Sequence, residues 1–167
     1  MGIIDKLNHI SSSNNDSPKD DCIFCKIVKK EIPAKIIEEN EFAMAFLDVN
    51  PISNGHTIVI PKKHISNLMV CDSDEILYET MKMVRHIAKV LDISKLQPWG
   101  INYLSNQGPM AGQVIYHWHF HVIPKYAKNE GLMISSNPVD LEDLDDVLEI
   151  IKNASGKQSK YDEKSKK

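Results

Sequence analysis

Val114-Ile115-Tyr116-His117-Trp118-His119-Phe120-His121-Val122-Ile123 sets three histidines at strict alternation among large apolar residues, and Pro124 follows. In an extended strand successive side chains point to opposite faces. His117, His119 and His121 therefore share one face, while Trp118, Phe120 and Val122 enter the core from the other. The run predicts a strand over residues 114–123, closed by the proline. Working back from it, residues 106–112 read as a polar loop and residues 100–103 as another strand. Residues 36–38, 43–47 and 56–60 read as three more, the last two separated by the turn residues Asn50-Pro51 and Asn54-Gly55.

Over residues 72–91 the apolar period changes to 3.6, with Ile76, Met83, Ile87 and Val90 spaced for one face and Asp72 or Ser73 placed to cap the start. Residues 23–30 suggest a short amphipathic helix ended at Ile32-Pro33, and residues 141–151 a further short one. Strands in short-loop succession, with helices before and after them, indicate an α+β fold. The expectation is a mostly antiparallel five-stranded sheet with one long and one short helix.

The 167 residues allow one domain, expected over residues 21–152. Residues 1–20 contain the polar tract Ser11-Ser12-Ser13-Asn14-Asn15-Asp16-Ser17-Pro18 and read as a disordered arm. Residues 153–167 read as a solvated, Lys-rich tail. A net charge of -3 provides no basic field for a nucleic-acid polymer, so a single nucleotide is the more natural phosphate partner. No stretch approaches the ~20 apolar residues that span a bilayer, and a signal-peptide layout is missing at the N-terminus. The expectation is a cytoplasmic protein without membrane contact.

Three aligned imidazoles can hold a metal, or they can divide the roles of nucleophile, acid/base and oxyanion partner. The triplet alone leaves both uses open. The preceding loop favours the second: Gly108, Ala111 and Gly112 are small enough to let backbone N–H groups approach an anion, and Gln113 adds an amide. His9 and His86, each alone, read as ordinary surface or core residues. Cys22 and Cys25 form a Cys-x-x-Cys pair, which suits zinc better than thioredoxin-like redox chemistry because the downstream strands do not alternate with helices. Cys71 reads as plain packing.

Residues 117–123 resemble the signature of the histidine triad nucleotide-binding family. The resemblance runs from about Cys22 to Lys125. It includes Glu31-Ile32-Pro33-Ala34-Lys35, Phe46-Leu47-Asp48, Gly55-His56, Val59-Ile60-Pro61-Lys62-Lys63-His64 and Gly112-Gln113. It implies a homodimer, a purine-nucleotide site and a covalent nucleotide intermediate on the middle histidine, with no organic cofactor. His119 is then the nucleophile, His117 supplies the carbonyl that sets its tautomer, and His121 contacts the phosphate. Asp48 would hold the ribose hydroxyls, Asn106 with the Gly112 and Gln113 amides the α-phosphate, and Phe24, Ile27, Ile32, Phe46 and Val49 the base. Without the resemblance, Asp48 reads as a turn residue.

Cys22-Ile23-Phe24-Cys25 leans towards the adenosine phosphoramidase branch, whereas the loop from Gln107 to Gln113 resembles the fragile histidine triad branch, which cleaves dinucleoside polyphosphates. Val114 stands where the phosphoramidase branch typically has a serine, which leaves protonation of the leaving group without that hydroxyl. Some similar proteins carry structural zinc, for which Cys22, Cys25, His64 and His117 would be the four ligands here. Two other readings compete: a hydrolase that uses the three histidines as catalytic zinc ligands, and a nucleotide-regulated interaction module with little turnover.

Overall fold

Two strands buried along nearly their whole length, β2 (Ala43–Leu47) and β3 (Thr57–Pro61), form the centre of the sheet. Burial at successive positions means that both faces are covered. In the computed structural model, which describes residues 20–157, β1 (Ile36–Glu39) flanks β2, while β5 (Phe120–Lys125) and then β4 (Gly100–Leu104) extend the other side. The strand order is β1-β2-β3-β5-β4, and every neighbouring pair is antiparallel. The expected α+β fold with a five-stranded sheet is thus borne out.

Each face is covered by one helix. Met83, Val84, Ile87, Ala88 and Leu91 of α2 (Asp74–Ile93) pack on Ala43, Ala45, Val59 and Val122. On the other face, α1 (Ile23–Val28) packs Phe24, Cys25 and Ile27 against Met44, Phe46, Ile58 and Ile60. Of the two candidate caps, Ser73 is the one that caps the helix: its hydroxyl accepts a hydrogen bond from the Ile76 N–H at 3.3 Å. Asp74 and Glu75 then place negative charge at the positive end of the helix. Gly55 has φ +84°, a left-handed conformation that glycine adopts without a Cβ penalty, and this turn delivers His56 to the start of β3.

Three expectations are corrected. The strand expected over residues 114–123 is only Phe120–Lys125, because β3 pairs with β5 from Phe120 onward. Upstream of that point the backbone bonds elsewhere: the Trp118 N–H donates to Ile65 O at 2.6 Å and His117 O accepts from a side chain. Pro124 does not close the strand but lies within it, opposite Ile101, beyond the last residue paired to β3. No ladder donor is needed from it on that side. Thirdly, α3 (Leu144–Ala154) extends two residues into the segment expected to be tail, and it buries none of its residues. Most of the expected arm and tail, residues 1–19 and 158–167, lies outside the described residues, as does His9.

Candidate active site and metal centre

His121 in β5 and His119 just before it lie on the α1 face of the sheet, where their ring centroids are 5.0 Å apart at 77°. His117 joins them although it precedes the strand, since Phe24 meets both the His117 and the His119 ring edge-on. The three histidines therefore converge, by a bent segment held from the side rather than by strand alternation. His119 Nδ1 lies 2.6 Å from His117 O. A carbonyl only accepts, so Nδ1 carries the proton and Nε2 keeps its lone pair. Burial pushes the His119 pKa down, against the opposing effects of this hydrogen bond and of Asp48. The neutral, nucleophilic form is favoured.

A fourth histidine belongs to the site. The Ile52 N–H donates to His56 Nδ1 at 3.1 Å, which obliges neutral His56 to carry its proton on Nε2. That proton points to His121 Nδ1, 2.9 Å away. His121 in turn keeps its own proton on Nε2, which leaves that nitrogen a donor. Asp48 Oδ2 stands 3.6 Å from His56 Nε2 and 3.9 Å from His121 Nδ1, while Oδ1 accepts from the Asn50 N–H, so the carboxylate also serves the turn. Asp48, His56 and His121 lie close enough for a cation, but the Ile52 N–H reserves the lone pair of His56 Nδ1 and leaves a proton where the metal would bind. His56 and His121 form a hydrogen-bond relay that starts at the Ile52 N–H, with the Asp48 carboxylate beside it. His56 entered the sequence analysis within the Gly55-His56 match to the family but was given no role there; its role arises from the pairing of β3 with β5. His86, by contrast, is exposed and bonds Glu38.

Cys22, Cys25, His64 and His117 meet on the other side of His117, their ligand atoms all within 4.8 Å of one another. Tetrahedral zinc, with bonds of about 2.3 Å to sulfur and 2.0–2.1 Å to nitrogen, sets its ligands roughly 3.3–3.8 Å apart. His117 Nδ1 lies 3.5 Å from Cys22 Sγ and 3.7 Å from Cys25 Sγ, and His64 Nδ1 lies 3.2 Å from Cys25 Sγ. The His117 Nε2–H donates to Pro61 O at 2.8 Å, which turns the Nδ1 lone pair towards the thiols. Burial holds His117 down to about 4 and hence neutral, the form that binds metal. The donor set fits zinc.

The loop before the triad closes on itself. Gly112 N–H donates to Pro109 O and Gln113 N–H to Gly108 O, both at 3.0 Å. The Gln113 side chain accepts from the Gly108 N–H and donates to Ser66 O. Asn106 Nδ2 reaches Gly112 O at 3.4 Å. A phosphate would draw on the Gly112 and Gln113 amides only by replacing these bonds. Of the residues expected around a base, Phe24, Ile27 and Phe46 are core residues, Ile32 is half-buried and Val49 is exposed. Val114 is exposed too, and Cys71 bonds Ser73 O weakly at the approach to α2.

This chain belongs to the histidine triad family: the HIT domain matches residues 29–128. It is 38% identical over 125 residues to an adenosine 5'-monophosphoramidase of Schizosaccharomyces pombe, covering 74% of this chain and 90% of the relative. A HIT family protein of Bacillus subtilis has a crystal structure similar to this fold with a TM-score of 0.74 at 35% identity, covering 83% of this chain and 98% of that one. A zinc-bound histidine triad family protein of Mycobacterium smegmatis is similar with a TM-score of 0.63 at 33% identity, over 72% of this chain and 86% of that one. Among the described residues, no helix is long and apolar enough to cross a membrane.

Burial lowers the pKa of His56, and it lowers that of His121 to about 4, where His119 and His56 add to the effect and Asp48 opposes it. Below an unfolded value of about 6.5 the unfolded chain takes up protons that the folded chain refuses, so stability is full above that pH and is lost as pH falls towards the folded values. Denaturant midpoints should decline between about pH 7 and about pH 5, and the decline should be shallower in His121→Asn. Identical pH dependence in the two proteins would contradict the burial of His121 as its source.

Proposed function

We propose that this chain hydrolyses purine nucleoside phosphoramidates through a nucleotide covalently held on His119. The observation that carries the reading is the fixed tautomer of His119, which leaves its Nε2 lone pair available, with the His121 ring 5.0 Å from the His119 ring between centroids. His119 Nε2 attacks the α-phosphorus, an Nε2–P bond forms, and the P–N bond breaks as the leaving nitrogen takes a proton from solvent and departs as a neutral amine. Charge on the nonbridging oxygens is met by the His121 Nε2–H. Water then cleaves the Nε2–P bond, releasing the nucleoside monophosphate, returning a proton to solvent and restoring neutral His119. Asp48 is assigned to the ribose hydroxyls, Asn106 to the α-phosphate, and the rims of Ile32 and Val49 to the base. The likeness to a phosphoramidase supports this substrate class.

The Gln107–Gln113 loop favours dinucleoside polyphosphates as a second substrate class, in which a nucleotide replaces the amine as leaving group. A substrate panel decides between the two: the phosphoramidate should have the higher kcat/KM, and a higher value for the dinucleoside polyphosphate would reverse the assignment. His119→Ala should abolish turnover while nucleotide affinity stays within roughly tenfold, because the groups assigned to the ground state remain. Turnover near wild type in that variant would remove His119 from the chemistry.

Structural zinc at Cys22, Cys25, His64 and His117 belongs to the same proposal, supported by the fit of the donors and by the zinc-bound relative. When bound it supplies a cross-link between α1 and the segments around His64 and His117. Use of all three triad histidines as catalytic ligands is disfavoured, since His119 Nδ1 is committed to His117 O and His117 Nδ1 faces the thiols.

A homodimer is proposed as well. Met83 and Ile87, the centre of the apolar stripe on α2, pack into the chain's own core, so the surface left for a partner lies elsewhere. Edge strand β4 with exposed Tyr103, neighbouring Trp99, and Tyr78 and Met81 of α2 provide it. Light scattering at micromolar concentration should give twice the chain mass of 19.0 kDa. A single-chain mass would contradict the dimer.

A further inference from the structure

The metal centre and the nucleophile share one peptide group. The plane joining His117 to Trp118 is rigid, because the peptide bond does not rotate freely. Its carbonyl accepts from His119 Nδ1 at 2.6 Å and its N–H donates to Ile65 O at 2.6 Å. Each end of this arrangement is next to a ligand of the metal centre: His117 carries the carbonyl, and His64 precedes the residue that receives the N–H. Strand pairing does not hold the segment, because the β3 ladder starts at Phe120.

We propose that metal bound by Cys22, Cys25, His64 and His117 positions the nucleophile, by clamping the His64–Ile65 and His117–Trp118 segments so that the His117 carbonyl holds His119 with Nε2 unprotonated. The inference rests on the zinc and nucleophile assignments above. His64 and His117 are positioning residues in this scheme, acting on the phosphate only through His119. Without metal, the His117 ring keeps its Pro61 bond, and its link to α1 and to His64 is reduced to thiol–imidazole contacts of 3.5 and 3.7 Å and an edge-on ring contact. The carbonyl is then held less firmly, and His119 can exchange its proton between its two nitrogens.

The coupling predicts a specific pattern on metal removal. The single-turnover rate should fall on the order of tenfold, as for the loss of partners that orient a ligating or reacting group. Affinity for a nucleoside monophosphate should change less than the rate does, since Asp48, Asn106, Ile32 and Val49, the residues assigned to ground-state binding, are not among the metal ligands.

The test uses the full chain, zinc-loaded and after chelation, with circular dichroism verifying that both forms are folded. Ring nitrogen NMR of His119 should show the single Nδ1–H tautomer with zinc and a mixture of tautomers without it, and adding Zn²⁺ alone should restore both the tautomer and the single-turnover rate. Cys25→Ser should reproduce the chelated state in spectrum and rate. If that variant does not fold, chelation and zinc return on the wild type still decide. Zinc bound, with His119 spectrum and single-turnover rate unchanged by its removal, would overturn the coupling and leave the zinc assignment standing. Failure of the wild type to bind zinc would overturn the zinc assignment and the coupling with it. Loss of the tautomer signal with full turnover by His119→Ala would instead place the failure in the nucleophile assignment.

Discussion

An imidazole can attack phosphorus through one nitrogen only if something else holds the proton on the other, and in the proposed chemistry that task falls to the His117 carbonyl, 2.6 Å from His119 Nδ1. A side-chain acceptor could rotate away; a peptide oxygen cannot move without its chain. The remaining geometry serves this bond. The chain leaves the ladder before Phe120 so that the His117 carbonyl points to a ring, and Trp118, almost fully buried, anchors the bend from the core side while its N–H bonds Ile65 O. The relay from Ile52 N–H through His56 to His121 fixes the second ring by the same logic, a main-chain group deciding the tautomer of each imidazole in turn.

Packing contributes the electrostatics. Phe24 lies edge-on to both His117 and His119, and with Phe46, Ile58 and Ile60 it walls the α1 face against water. The desolvation that follows keeps the histidines neutral, as nucleophile and metal ligand both require. α1 therefore has two duties. Its apolar side closes the core, and its first residues bring Cys22 and Cys25 to the His117 ring.

Much of the fold was legible because its periods are local. The continuous apolar runs of β2 and β3, the 3.6 period of α2 and the Ser73 cap each depend on neighbours in sequence. The histidine run was read correctly as converging and wrongly as one strand: what bends it at Trp118 is a bond to Ile65, far away in the chain. His56, quoted in the Gly55-His56 match, was given no role for the same reason, since its partner is 65 residues away. The loop glycines suggested open amides, yet residues 108–113 satisfy their own donors, which composition does not encode. Cys22 and Cys25 announced themselves by spacing, while their neighbours His64 and His117 are gathered by the antiparallel return of the sheet.

The central claim is that the free nitrogen of His119 takes the nucleotide. Acid quenching of a single turnover with a labelled nucleoside phosphoramidate, followed by peptide mass spectrometry, tests it most directly. The account predicts one nucleoside monophosphate attached to His119, appearing and decaying within the turnover. A turnover that proceeds with no adduct on any residue, or with the adduct on His117 or His121, would contradict it.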